Sequence, residues 1–443
     1  MTQSKPTRIV ILGGGFAGLY AALEFERALQ RGERLEVTLI NGENYFLFTP
    51  MLHEVAASDL DMTHIVNPIR KLLKRVQFFH GTVDAVDLPR RSVVVSHSAD
   101  RHQHTLEYDH LVLALGSVTN FFGLPGLEEK ARTMKSLGDA IGVRNHLIDL
   151  LETADFECAL GDRGQLLTVV VAGGGFAGVE TIAAINDFVR EALAFYPNLG
   201  RQQVRFVLVH PGEVILPELG EKLGRYAQKK LRERGVEILT GTRITGVNGD
   251  DVQLNSGGAI RTRTLIWTAG TSANPLLETL PCKKERGRLC VTPEMEVPSF
   301  PGVWALGDCA RVPGPDGKPY PPTAQHALRQ GTLLARNVLA AIRGGRKRPF
   351  VFRTIGQLAA IGRRTGVANI LGVNFSGFIA WWLWRTIYLG KLPRLEKKMR
   401  VAMDWTLDLL FSKDLVQFST ERSRGSKAEP APVQIEQGSV AAD

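Results

Sequence analysis

The chain has 443 residues, too many for one ordinary hydrophobic core, so two or three domains are expected. A hydrophobic fraction of 44% with 22% charged residues is that of a folded globular protein, and no apolar run of some 18 residues exists to make a membrane-spanning helix. The net charge of +9 favours an acidic partner, either nucleic acid or an anionic membrane surface, and does not choose between them.

Read from the start, "MTQSKPT" runs into the apolar strand "RIVIL", which leaves no room for a secretory signal. The loop "GGGFAG" at 13–18 follows, then the helical stretch "AGLYAALEFERALQ" and the strand "LEVTLI", which together make one βαβ unit of a parallel sheet. The next segment, "NYFLFTPMLHEVA", is too apolar for a solvent loop and is expected to pack on a flat surface. From "FFHGTVDAVDL" through "RSVVVSH" the period is two, predicting antiparallel strands, and "YDHLVLALGS" returns to the parent sheet.

The pattern then repeats. "LLTVVVA" leads into a second "GGGFAG" at 173–178, a helix and "VRFVLVH", followed again by short alternating segments and "TLIWTAG". Such an internal duplication predicts two nucleotide-binding domains of related topology. The last third holds a strand and turn in "FPGVWALGDCARV", a helix from "PPTAQHALRQG" onward, a compact β or irregular segment in "FRTIGQLAAIGRRTGVANI", and a tryptophan-rich block. The polar tail 422–443 is expected to be disordered.

In G-x-G-x-x-G the first glycine makes the strand-to-helix turn, the second lets a pyrophosphate approach the backbone, and the third lets helix and strand pack closely. Gly13, Gly15 and Gly18 fill these places in one copy, and Gly173, Gly175 and Gly178 in the other. Two loops in complete βαβ contexts imply two dinucleotides, and an obvious use for two is to pass electrons from one to the other. The acid that usually ends the second strand is absent from both copies. Asn41 stands there in the first, still able to bond ribose through its amide with Glu43 nearby as a substitute, and His210 in the second, so NADPH is not excluded beside NADH.

Four cysteines, Cys158, Cys282, Cys290 and Cys309, show no C-x-x-C or metal-ligand spacing and are read as reduced thiols, with no metal expected. Phe378, Trp381, Trp382, Trp384, Tyr388 and Leu389 form an apolar block followed by Lys391, Arg394, Lys397, Lys398 and Arg400. This suits a helix lying on a membrane, or alternatively a buried dimer or domain contact. Leu395, Met399, Ala402, Thr406 and Leu409 repeat at helical spacing and predict a second amphipathic helix.

The paired loops, "WTAGT" at 267–271, "WALGDCA" at 304–310 and "PTAQHALRQG" at 322–331 resemble the two-dinucleotide-binding flavoproteins. With "NYFLFTPML", "IGRR" and the tryptophan-rich end, the chain is most similar to the type II NADH dehydrogenases, single-subunit NADH:quinone oxidoreductases. The resemblance implies an α/β fold of two Rossmann-like dinucleotide-binding domains, the NAD(P)H domain (126–295) inserted in the FAD domain (7–125 and 296–345). A C-terminal membrane-associating helical region would span 346–421. It places FAD on Gly13, Gly15, Phe16, Ala17, Gly18 and Asn41, and on Val83, Ala114, Gly116, Gly307, Asp308, Gln325 and His326. Asp308 has an alternative as a helix N-cap. NAD(P)H would lie on Gly173, Gly175, Phe176, Gly178, Glu180, His210, Ala269 and Gly270.

As catalytic residues the resemblance implies Glu180, near nicotinamide and flavin, with Gln325 and Gln330 of the quinone signature. Glu180 is alternatively a solvated first-turn acid, and Gln325 an ordinary helix-start amide. Arg329 replaces a glutamine of that signature, which leaves the acceptor open. The implied protein is a non-proton-pumping respiratory enzyme, a peripheral homodimer on the cytoplasmic face of the cell membrane, with a membrane quinone and anionic lipid as partners and no nucleic acid. The alternatives are a soluble reductase of a carrier such as ferredoxin or rubredoxin, and a flavoprotein whose main task is binding nucleic acid or a partner through its basic surface.

Overall fold

A computed structural model describes residues 5–98, 100–157 and 159–418; the predicted disordered tail and Cys158 lie outside the described residues. The chain forms two five-stranded parallel sheets of the same design. In the first the order is Val303–Ala305, His110–Leu113, Thr7–Leu12, Leu35–Asn41 and Gln77–His80. In the second it is Arg132–Thr133, Thr264–Trp267, Thr168–Ala172, Arg205–Val209 and Val236–Leu239.

The β-branched runs form the central strands because both of their faces are covered, which is where parallel strands read as continuous apolar segments. Ile9, Val10, Ile11 and Leu12 are buried, as are all five residues of Thr168–Ala172. Each parallel sheet is followed by a three-stranded antiparallel sheet, Thr82–Glu107 in one unit and Ile244–Arg261 in the other, so the duplication predicted from the repeat is present. The edge strands reveal the insertion. The first sheet takes its edge strand, Val303–Ala305, from beyond the second unit, and Ser117–Thr119 pairs with Thr271–Ala273 where the chain leaves and re-enters.

"NYFLFTPMLHEVA" packs as expected. Phe46 and Phe48 are buried, Phe46 meets Phe16 edge-on at 4.9 Å, and helix Leu52–Ala56 wedges between helices Leu137–Phe156 and Phe176–Ala192. The segment after 355 is a three-stranded antiparallel sheet, Gly356–Ala360, Gly366–Ile370 and Val373–Gly377, followed by helices Phe378–Lys391 and Leu395–Leu407.

The tryptophan-rich helix is not the uniform membrane face the sequence suggested. Trp384 is fully buried against Trp405 and Tyr388, and Trp381 is half-buried, whereas Phe378, Ile379 and Trp382 are exposed. Residues 381, 384 and 388 recur at helical spacing and turn inward together. Lys397, expected to face lipid headgroups, is also buried, and its ammonium donates to the Thr63 carbonyl at 2.6 Å. Among the described residues no helix is long and apolar enough to cross a membrane.

Candidate active site

Both glycine loops have the same local physics. Gly13 and Gly173 sit at φ +103° and +107°, a region closed to side chains at low cost. A Cβ on Gly18 or Gly178 would land on the carbonyl oxygen of Gly13 or Gly173, so only hydrogen lets helix and strand approach. At Gly15 and Gly175 a Cβ would meet nothing within 4 Å. The helices that follow, Phe16–Gln30 and Phe176–Ala192, begin without a side-chain cap and without an acid in the first turn. Their free N–H groups and positive ends therefore face open space, a ready anion site, and the loops fit the pyrophosphates of two dinucleotides.

The strand-end residues turn inward to these loops. Asn41 Oδ1 accepts from the Gly14 N–H at 2.7 Å, and its Nδ2 donates to the Glu43 carbonyl at 2.7 Å. His210 repeats this: Nδ1 accepts from the Gly174 N–H at 3.1 Å and Nε2 lies 3.2 Å from the Val214 carbonyl, which assigns the neutral Nε2–H tautomer. Burial lowers its pKa in the same direction. Both side chains thus brace the loop, and the Asn41 amide expected to bond ribose already makes one hydrogen bond at each end.

The two loops open into one cavity of about 1020 Å³, at the upper end of the range for small-molecule sites. Gly15, Phe16, Ala17, Ala114, Gly116, Gly307 and Asp308 line it from the first domain, and Phe176, Glu180 and Thr181 from the second. Gln325, Arg329, Tyr388 and Lys391 come from the last third of the chain. Asp308 is not a helix N-cap: it lies within a single 3₁₀ turn, and its carboxylate accepts from the Ser117 hydroxyl at 2.8 Å. Lys135 donates to the Ser117 carbonyl and hydroxyl at 2.9 Å, and burial lowers its pKa.

Several predicted residues stand elsewhere. Gln330 is buried behind the cavity wall and its Oε1 accepts from the Gly307 N–H at 2.8 Å, so it positions the Gly307 turn instead of facing a reactant. His326 is buried between Tyr320 and Phe352, with Nδ1 2.7 Å from the Thr323 hydroxyl, and its ring does not reach the cavity. Val83 is half-buried in the antiparallel sheet, paired with Val95, and is not a cavity residue. Ala269 and Gly270 lie outside the lining too, although the Ala269 backbone presses on Gly173. The sequence offered no signal for Ser117 or Lys135, which line the cavity from segments without a motif, and Thr271, which lines it too, was passed over although it closes the "WTAGT" motif.

Gln325 Nε2 donates to the Gly356 carbonyl at 3.3 Å, and Arg329 donates to the Gln325 carbonyl at 2.7 Å while its guanidinium lies 4.2 Å over Phe352. Glu180 is not solvated. Its Oε1 accepts from the Ala360 N–H at 3.0 Å and the Trp384 indole N–H at 2.9 Å, and Oε2 lies 3.9 Å from His53 Nδ1. Burial dominates and raises its pKa to about 8, while burial holds His53 neutral, its pKa lowered to about 3. Burial therefore biases this cavity-wall carboxyl toward its protonated form. Among the described residues no cysteine lines it.

Residues 7–331 match the family described as pyridine nucleotide-disulphide oxidoreductase, and residues 355–414 match the NDH2 C-terminal domain. The chain is 31% identical to a probable NADH dehydrogenase of Dictyostelium discoideum, covering 93% of this chain and 91% of that protein. It is also 31% identical to a type II NADH:quinone oxidoreductase of Mycobacterium tuberculosis, again over 93% and 91%. In fold it resembles NDH2 from Plasmodium falciparum in complex with NADH, with a TM-score of 0.86 at 20% identity, covering 93% of this chain and 100% of that one. The shared family pattern, the paired loops and the matching C-terminal region place the chain in the pyridine nucleotide-disulphide oxidoreductase family, among its type II NADH dehydrogenases.

Proposed function

We propose that the chain is an FAD-dependent NADH:quinone oxidoreductase working at a membrane surface. The observation that carries this is the single cavity onto which two uncapped glycine-loop helices open and which the C-terminal helix also reaches. FAD held on the first glycine loop would supply the two-electron redox chemistry between reduced nicotinamide and the quinone.

The protein's own part is placement and charge. The Gly13–Gly18 loop and the N-terminus of Phe16–Gln30 hold the FAD pyrophosphate, with Asp308 and Ser117 ordering the chain beyond it. The Gly173–Gly178 loop holds the NADH pyrophosphate in the same way. Helix Ala324–Ile342 starts at the cavity without a side-chain cap, and its positive end with Arg329 and Lys391 favours anionic charge there. Gln325 offers an amide to an acceptor carbonyl. Glu180 Oε2, free of backbone bonds, holds a proton beside the reactants. Purified protein is expected to show flavin absorbance and to oxidise NADH with a short-chain quinone; a colourless protein binding one nucleotide per chain overturns the reading.

Phe378, Ile379 and Trp382 on one helix and Leu395, Met399, Met403 and Leu407 on the next are exposed, with Lys391, Lys398 and Arg400 beside them. An apolar strip edged by lysine and arginine suits the anionic cytoplasmic face of a membrane, where a lipid-soluble quinone resides. Replacing Trp382, Met399 and Met403 together by glutamate is expected to reduce partition onto anionic vesicles at least tenfold and leave the flavin spectrum intact. Vesicle co-sedimentation measures this. Unchanged binding would mean that the strip serves another contact, such as a homodimer interface.

A further inference from the structure

Away from the glycine loops and the cavity, three histidines gather on the antiparallel sheet of the first domain. Strands Ser92–His97 and His102–Glu107 pair with His97 opposite His102 and Val95 opposite His104. Side chains alternate along a strand with a period of two, so His102 and His104 share a face, and the cross-strand pairing puts His97 on the same one. Further along that face Val93 and Val95 are buried in the core and Leu106 packs against it, so the histidines continue a core-facing row. His97 and His104 are half-buried, and His102 is exposed. Phe79 of the neighbouring parallel sheet meets the His97 and His104 rings edge-on at 5.7 and 5.6 Å, a floor that holds them in place.

Ring centroids lie 4.7, 5.0 and 5.6 Å apart in the three pairs. His97 Nε2 and His104 Nε2 are 2.9 Å apart, and His97 Nδ1 lies 2.6 Å from the Ser98 hydroxyl. Both contacts are satisfied when His97 Nδ1–H donates to Ser98 and its Nε2 lone pair accepts from His104 Nε2–H. Two imidazole nitrogens bound to one ion at about 2.0–2.1 Å stand about 2.9–3.3 Å apart, for angles from a right angle to the tetrahedral one. The pair is therefore already at ligand spacing. We propose that His97, His102 and His104 form a binding site for a zinc ion, with water as the fourth ligand. None of the three lines the main cavity, so the site is separate from the redox centre.

Three imidazoles with an open fourth position suit zinc, whereas calcium and magnesium take oxygen ligands. Among the described residues no three such side chains are already gathered about one point, and the His97 and His104 rings are stacked, with 18° between their planes. The ion takes the place of the hydrogen bond between them. His97 Nε2 and His104 Nε2 each turn a lone pair toward it, and the His104 proton passes through solvent from Nε2 to Nδ1, so the rings neither gain nor lose charge. His102, exposed and on the same face, closes the third side by rotation about its own side-chain bonds. The Ser98 hydroxyl accepts from His97 Nδ1–H, the outer contact that orients a metal-bound histidine.

The test titrates the full chain, carrying no affinity tag, with zinc chloride in a calorimeter. One ion per chain is expected to bind, and the melting temperature should rise as the site fills. Cobalt(II) in place of zinc should give the visible difference bands of a four-coordinate site. His104→Gln should weaken zinc binding about a hundredfold and Ser98→Ala about tenfold. Because His104 is half-buried, His102→Gln is the second variant: its side chain is exposed, the fold does not depend on it, and the same loss of about a hundredfold is expected. His80→Gln is the control, since His80 stacks on Phe78 and bonds the Gly42 carbonyl, and it should bind zinc as the unaltered protein does. Uptake of less than one ion per chain, equal affinity in the His102 and His104 variants, or cobalt bands that survive both changes overturn the site.

Discussion

Gly178→Ala is expected to yield a folded, yellow protein that hardly reacts with NADH, whereas Gly18→Ala is expected to purify with little or no flavin. In each case the new methyl would sit 1.8 Å from a backbone carbonyl oxygen, that of Gly173 or Gly13, in a turn whose glycine N–H is tied to the end of the neighbouring strand at Val209 or Ile40. Relief requires the helix to back away from the strand, which withdraws its N-terminal N–H groups from the pyrophosphate. Overpacking of this kind costs about 1–3 kcal/mol before any lost phosphate contact is counted. A loss near 3 kcal/mol lowers affinity roughly a hundredfold. Because the two loops lie in separate sheets, the effects should separate: flavin content follows Gly18, and the NADH kcat/KM follows Gly178. Gly15→Ala serves as the contrast, since its Cβ meets open space and can harm only the bound nucleotide, not the fold. Flavin absorbance per chain, melting temperature and steady-state kinetics check all three. A Gly18→Ala protein with full flavin content would falsify the assignment of the first loop.

These loops were legible in the sequence because their demands are local: a turn at positive φ and a helix touching a strand leave glycine as the residue that fits without strain, whatever surrounds them. The two parallel sheets followed for a similar reason, since continuous β-branched runs suit strands covered on both faces. The site beyond the loops depends on contacts between distant segments. Trp384 bonds Glu180 across 204 positions and Trp405 bonds Glu54 across 351, and no short motif announces either pair. Gln330 misled because its place in a motif said that it mattered without saying how; it holds a backbone turn. The signal overlooked was in the tryptophan block, where 381, 384 and 388 already shared one helical face and 378, 379 and 382 another. One helix serves both the core and the surface.

A fall in stability between pH 6.5 and about 8 is expected to follow from the same buried groups. Glu180 and Glu54 have folded pKa values raised to about 8 by burial, against about 4.5 in the unfolded chain. Above pH 4.5 the folded state holds protons that the unfolded state has lost, so each carboxyl removes about 1.4 kcal/mol per pH unit up to pH 8. Two buried histidines act oppositely lower down. His53 and His146 are lowered from 6.5 to about 3 and about 4, so the unfolded chain binds protons there that the fold refuses, and stability rises with pH until 6.5. Below pH 6.5 these two histidines, together with His110, His210 and His326 whose pKa values burial also lowers, oppose the carboxyls, and above 6.5 that opposition ends. Over that last interval the loss is on the order of 4 kcal/mol for the pair. The carboxylates whose pKa values are lowered, such as Glu26 and Asp109, exert their effect below pH 4.5 and do not enter this window. Glu54→Gln with Glu180→Gln keeps the oxygens that accept from Trp405, Trp384 and Ala360 while removing both titrations. The double variant should therefore melt at nearly the same temperature at pH 6.5 and 8.5, where the unaltered protein melts several degrees lower at the higher pH. A thermal melt series in matched buffers decides it, and equal melting temperatures for the unaltered protein at the two pH values would mean that neither carboxyl holds its proton in the fold.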